Sequence, residues 1–260
     1  MNRSRVKKVI LSRLKLLLGL VALFMVLIGG YYLRTKKSDY YYIATSNGGN
    51  DYLKAGLNPE TSTQILPVKE DIPTSFLITN FPFQTQAPQS NWDGLHEEAC
   101  EEASVTLVNY YLNDRVITPE LMEQEIQNLI QWESINFNGA IDINVAQLGQ
   151  LAKASFGFNY KVINASNIAE LKNQIAAGHP VIIPAAGRLL GNPNFQSPGP
   201  VYHMVVAIGY TSKDIIVQDV GTRNGSQYVY NQNIFSNAWH DFVVNEPIEN
   251  GQKNMLVLSK

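Results

Sequence analysis

The chain has 260 residues, of which 45% are hydrophobic, 10% aromatic and 16% charged; this suits one or two ordinary domains and excludes a disordered, collagen-like or disulfide-scaffold protein. The formal net charge of -2 hides an asymmetry, because residues 1–37 hold nine of the 20 Lys and Arg and no carboxylate, leaving 11 basic against 22 acidic residues in the rest. A body this acidic lacks the basic clusters that phosphate contacts need, so no nucleic-acid partner is expected; one cysteine, Cys100, excludes an internal disulfide, and with no Cys/His cluster at zinc spacing neither metal nor cofactor is expected.

Residues 1–15 are basic, and residues 16–33 form an uncharged run rich in Leu, Val, Ile, Phe and Met. As a helix at about 1.5 Å per residue the run spans roughly 27 Å, close to the hydrocarbon thickness of a bilayer. Six basic residues precede it and three follow, which predicts a single-pass anchor with the N-terminus cytoplasmic and the C-terminal body outside. A cleaved secretory signal is the competing reading, but the run is long for one and ends in Ile-Gly-Gly-Tyr-Tyr-Leu-Arg rather than at small residues. Residues 34–70, rich in Tyr, Ser, Thr, Asn and Gly without sustained periodicity, read as a stalk, and residues 71–260 as one compact domain. The sequence carries no sign of an oligomeric state.

Within the domain the helix signals come first. Glu97–Leu112 has four carboxylates in its opening turns and an apolar stripe of Ala99, Ala103, Leu107 and Tyr110. Thr118-Pro119-Glu120 is a cap followed by proline at the first helical position. Asp142–Ala154 and Ser166–Ala177 carry apolar residues at helical spacing, the second stopping at Gly178. Short β-rich runs then follow at Pro180–Pro184, Tyr202–Tyr210, Asp214–Asp219, Gln227–Tyr230 and Met255–Ser259, with a short helix at Asn231–Trp239. Thr211-Ser212-Lys213 reads as a hairpin turn. Helices first and an antiparallel sheet second is the α+β pattern.

Three residues carry candidate chemistry. Cys100 falls in the first turn of the first helix, where the macrodipole favours thiolate. His203 opens an apolar strand and Asp219 closes the next strand of the hairpin, so antiparallel pairing would bring them to one edge. Asp219 could then fix the imidazole tautomer and leave the other ring nitrogen to face the thiol. Taken singly, a lone cysteine is more often a small core residue, a histidine opening a strand is usually structural, and an aspartate before Val-Gly can simply start a turn. The flanking Glu97, Glu98, Glu101 and Glu102 count against a reactive thiol, since negative charge raises its pKa. His96, His179 and His240 look ancillary.

The blocks Phe81-Pro82-Phe83-Gln84-Thr85-Gln86-Ala87-Pro88, Asn91-Trp92 and Glu98-Ala99-Cys100-Glu101-Glu102-Ala103-Ser104, with Tyr202-His203-Met204-Val205-Val206-Ala207-Ile208-Gly209-Tyr210 and Val217-Gln218-Asp219-Val220-Gly221, resemble the bacteriocin-processing peptidase-like family. Its members are papain-like cysteine peptidases related to double-glycine leader peptidases. The resemblance covers about residues 78–240. It implies Cys100 as nucleophile, His203 as general base and acid, Asp219 as the orienting residue, and an upstream glutamine as oxyanion donor. Gln86 aligns best for that donor, across an insertion at Ser90–His96, and Gln84 is the fallback. No ATP-binding cassette accompanies the domain and the inferred topology is extracytoplasmic, so bacteriocin leaders are not the expected substrate. The leading expectation is a membrane-anchored papain-like cysteine hydrolase acting on peptide or protein amide bonds; the alternatives are a transpeptidase using the same thioester and an inert surface binding module on the same scaffold.

Overall fold

A computed structural model describes residues 72–260. The basic segment 1–15, the expected span 16–33 and the stalk 34–70, with Asp71, lie outside the described residues. Among the described residues no helix is long and apolar enough to cross a membrane.

The architecture is α+β, as expected. The elements are β1 (Phe76–Leu77), α1 (Cys100–Leu112), α2 (Pro119–Asn136), α3 (Val145–Phe156), β2 (Asn159–Asn164), α4 (Ile168–Ala176), β3 (Val181–Ala186), α5 (Gly187–Leu190), β4 (Tyr202–Tyr210), β5 (Asp214–Gln218), β6 (Tyr228–Asn231), α6 (Gln232–Ala238) and β7 (Asn254–Ser259). The capping signals act as read. The Thr118 hydroxyl accepts from the Leu121 N–H, with Pro119 beginning α2. Asn144 and Gln147 form a reciprocal capping box at the start of α3, which ends on Gly157 in the left-handed conformation at φ 77°.

The sheet is antiparallel in the order β2-β7-β3-β4-β5-β6, with β1 pairing the far end of β4. All nine residues of β4 are buried, which explains why its run is apolar apart from His203. Its side chains divide by parity. Tyr202, Met204, Val206 and Ile208 pack into the core built on α1–α3, whereas Val205 and Ala207 pack into the core on the opposite face, with α4 and α6. The hairpin between β4 and β5 forms as expected, with a register shift between Ala207 and Gly209.

One boundary differs in a way that matters. The expected helix Glu97–Leu112 is broken: His96–Glu98 is a 3-10 turn, Ala99 leaves helical geometry at φ -92° and ψ 28°, and the α-helix starts at Cys100. The cause is long range. The Gln86 side-chain amide donates to the carbonyls of His96 and Glu97 at 2.8 and 2.9 Å. In a continuous helix those two carbonyls would accept from the N–H groups of Cys100 and Glu101. Gln86 takes them instead, and the N–H groups of Cys100 and Glu101 are left at a helix start.

Candidate active site

Cys100 is the first residue of α1 and only 4% exposed. Its Sγ donates to Glu101 Oε2 at 2.9 Å, and the backbone N–H of Met204, the residue after His203, lies near enough to favour its anion. The thiol therefore lies against the strand that carries His203, but its side-chain hydrogen bond goes to Glu101; among the described residues none joins Cys100 to His203. Burial, followed by the charges of Glu101 and Glu102, pushes the thiol well above its ordinary range, and the Met204 N–H acts the other way.

His203 and Asp219 meet as the hairpin register requires. Nε2 of His203 lies 2.8 Å from Asp219 Oδ1, with both residues almost wholly buried. An ionised carboxylate only accepts, so Nε2 carries the proton and Nδ1 is the ring nitrogen left for a reacting group. Burial alone would raise the Asp219 pKa. The charge of His203 and hydrogen bonds from His203, Tyr230 and Gly221 outweigh that and hold it below the usual carboxylate value. The second oxygen, Oδ2, accepts from the Tyr230 hydroxyl at 2.6 Å and from Asn192 Nδ2 at 3.0 Å. Phe195 stands edge-on to the imidazole with centroids 5.2 Å apart.

Gln86, the better aligned of the two candidate glutamines, is 3% exposed, and its backbone N–H donates to Val220 O at 2.9 Å. That bond pins the upstream segment to the residue following Asp219. Gln84 is half-buried and not on the cleft wall. A cleft of about 610 Å³ opens here, walled by Gln86, Trp92, Glu98, Phe195, His203 and Gly221 among others. Gln86 Nε2 is held by the two carbonyls that break the helix, and its Oε1 is buried without a partner.

Gly221 sets the width of the cleft beside the imidazole. A Cβ there would sit 2.7 Å from His203 Cε1 and 3.0 Å from Nε2, so Gly221→Ala must displace the ring. With reaction geometry sensitive at the 1 Å level, turnover is expected to fall about 10²-fold while the fold is kept; kcat measured beside a far-UV spectrum checks it.

The glutamates next to the nucleophile do not lie in solvent. Glu101 and Glu102 are 1% and 2% exposed, and Glu133 of α2 is 3% exposed. Glu101 Oε1 accepts from the Ile143 N–H at 3.3 Å, and the carboxyl groups of Glu102 and Glu133 face each other closely enough to shift each other's titration. Burial raises all three pKa values, with Glu102 adding to the rise at Glu101 and Glu133. A carboxyl raised on folding contributes stability that is whole below its unfolded pKa of about 4.3 and is lost as pH climbs toward the folded value. Glu133→Gln is therefore expected to flatten the loss of stability above pH about 4.3, by at most about 1.4 kcal/mol per pH unit, in denaturant melts of parent and variant from pH 4 to pH 9.

Sequence reasoning did not find Asn192 or Tyr230. The β5–β6 register sets Tyr230 opposite Ile215, near the start of β5 and away from Asp219, so strand pairing alone does not point to the tyrosine, and Asn192 sits after α5 in a Gly-Asn-Pro-Asn loop with no distinguishing signal. His96, read as ancillary, is buried and bonded to Asp93 at 2.7 Å and Glu123 at 2.9 Å, a structural tie between the upstream segment and α2.

Among curated proteins, none matches this sequence. Among solved structures, a crystal structure from Bacillus anthracis assigned as a C39-like peptidase matches with a TM-score of 0.50 at 19% identity, over 72% of this chain and 98% of that one, which supports the fold. Residues 78–245 match the model of the Peptidase_C39 like family, a span that contains Gln86, Cys100, His203 and Asp219. The chain therefore belongs to the Peptidase_C39 like family and is by that membership a papain-like cysteine peptidase, acting on peptide or protein substrates.

Proposed function

We propose that the protein cleaves peptide bonds through a thioester formed on Cys100, with His203 as base and acid and Asp219 as its orienting partner. The observation that carries this reading is the 2.8 Å contact between His203 Nε2 and Asp219 Oδ1, made on a cleft wall beside the helix start that bears the thiol. The Cys100 proton passes to His203 Nδ1, and the sulfur attacks the scissile carbonyl carbon. The oxyanion meets the Cys100 N–H, freed by the break in the helix, and Gln86 Nε2 once that amide gives up one carbonyl. The imidazolium then protonates the leaving amine, and water activated by the neutral imidazole releases the acid product and the thiol. We further propose that residues 16–33 anchor the chain in the membrane with the peptidase domain outside, on the strength of the uncharged run and its basic N-terminal flank.

The experiment is a peptide-library digest with the full chain in detergent, read by mass spectrometry, beside the rate of Cys100 alkylation in parent and His203→Ala. Cleavage products abolished by iodoacetamide, with alkylation at pH 6 slowed by His203→Ala, are expected. No cleavage together with alkylation indifferent to His203 would leave a binding module. That second reading is favoured by one observation, the hydrogen bond of the thiol to Glu101 rather than to His203.

A further inference from the structure

Four carboxyl groups form one cluster beside α1, and two of them, Glu101 and Glu102, act directly on a nucleophile that needs to become an anion. Glu101 touches the reacting sulfur at 2.9 Å, and Glu102, Glu133 and Asp142 lie within its electrostatic reach. Among the described residues no Lys, Arg or His forms an ion pair with Glu101, Glu102 or Glu133. Glu102 Oε2 and Glu133 Oε1 are buried without any hydrogen-bond partner. Isolated buried carboxylates are costly and take up protons instead. The other groups facing this cluster do not relieve it. Tyr202 of β4 donates its hydroxyl to Ile143 O at 3.0 Å, Asp241 faces Tyr202, and Glu98 adds a further acid on the cleft side.

We propose that Glu101 serves the reaction as a neutral acid: its carboxyl O–H donates to the Cys100 sulfur once the thiol proton has moved to His203, and Glu102, Glu133 and Asp142 keep that O–H in place. This rests on Cys100 being the nucleophile of the proposed peptidase. Oε1 is occupied by the Ile143 N–H, so Oε2, the oxygen against the sulfur, is the one placed to carry the hydrogen. The protons balance. The thiol proton goes to His203 Nδ1, the Glu101 proton stays on Oε2 and bridges to sulfur, and the bridge is released when the sulfur lone pair forms the bond to the carbonyl carbon. Glutamates that as anions would suppress the thiolate support it as acids. Glu101 touches a reacting atom and is in that sense a catalytic residue.

The readout is the apparent pKa of Cys100, taken from iodoacetamide alkylation of the full chain across pH 5 to pH 10, a measurement that needs no substrate. Glu101→Gln keeps an N–H donor of similar shape and is expected to hold the thiol pKa within about half a unit of the parent. Glu101→Leu removes the donor and is expected to raise it by one to two units, the worth of one hydrogen bond to a charged group of about 1.5–3 kcal/mol. A fall of two units or more in Glu101→Gln shows an ionised glutamate that restrains the thiol and overturns the proposal, as does a Glu101→Leu value equal to the parent's. If Glu101→Leu does not fold, the Gln variant alone decides. Loss of the His203 dependence with these Glu101 effects intact would instead count against the proposed peptidase.

Discussion

Cys100→Ala is expected to lower peptide turnover by about 10⁴-fold or more while leaving the fold in place. The magnitude follows from triads that act as a unit, where loss of the nucleophile or the base alone costs nearly as much as loss of the whole set. His203→Ala should accordingly fall to a similar floor, and the double variant should fall little further. Stability should change modestly. Cys100 opens α1 at a position whose N–H is free of helix bonding, and alanine suits a helix start. The group left behind is Glu101 Oε2, which loses its 2.9 Å sulfur contact and, held as a neutral acid, carries no uncompensated charge. Turnover and thermal midpoint measured on one preparation separate the two effects. Parent-like turnover in Cys100→Ala would sink the assignment of the nucleophile.

Much of this site could be read locally, and what could not depends on partners far along the chain. The Thr118-Pro119 start of α2, the bounds of β4 and the β4–β5 hairpin were all written in short-range signals, and the hairpin spacing brought His203 to Asp219 as anticipated. β2 was missed because it is an exposed strand that gains its ladder only from β7, about 95 residues later. The break at Ala99 was missed because its cause is a glutamine side chain 10 and 11 residues upstream of the carbonyls it captures. The glutamates carried the most misleading signal. First-turn carboxylates normally face water and the helix dipole, whereas Glu101 and Glu102 turn inward toward Ile143 and Glu133, and nothing in the segment Glu97–Ser104 tells the two cases apart. The resemblance in those short stretches identified the family correctly; of the two candidate glutamines, Gln86 lines the cleft and Gln84 does not.

Asp219→Ala is expected to cost both turnover and stability, and the order of the variants at this position separates orientation from charge. The carboxylate is fully buried and accepts four hydrogen bonds, from His203 Nε2, the Gly221 N–H, Asn192 Nδ2 and the Tyr230 hydroxyl. Alanine leaves those donors without an acceptor, at about 1–3 kcal/mol for each that stays dry, and frees the imidazole to adopt the other tautomer, for a loss in kcat on the order of 10²–10⁴. Asparagine is gentler on packing. Its oxygen can keep His203 and Gly221, while its NH₂ meets Tyr230, which can rotate to accept, and Asn192 Nδ2, a donor held in place because Asn194 bonds the Asn192 oxygen. Turnover should therefore run parent, then Asn, then Ala. The charge has its own signature. Because folding depresses the Asp219 pKa, its ionisation contributes stability above the unfolded value of about 3.9 and loses it as pH falls through the folded value. The stability gap between parent and Asp219→Asn should then close in acid and open above pH about 4. A gap that stays constant with pH means the carboxylate acts by shape alone; equal turnover in all three proteins means that His203 is oriented by Phe195 and its strand, without help from Asp219.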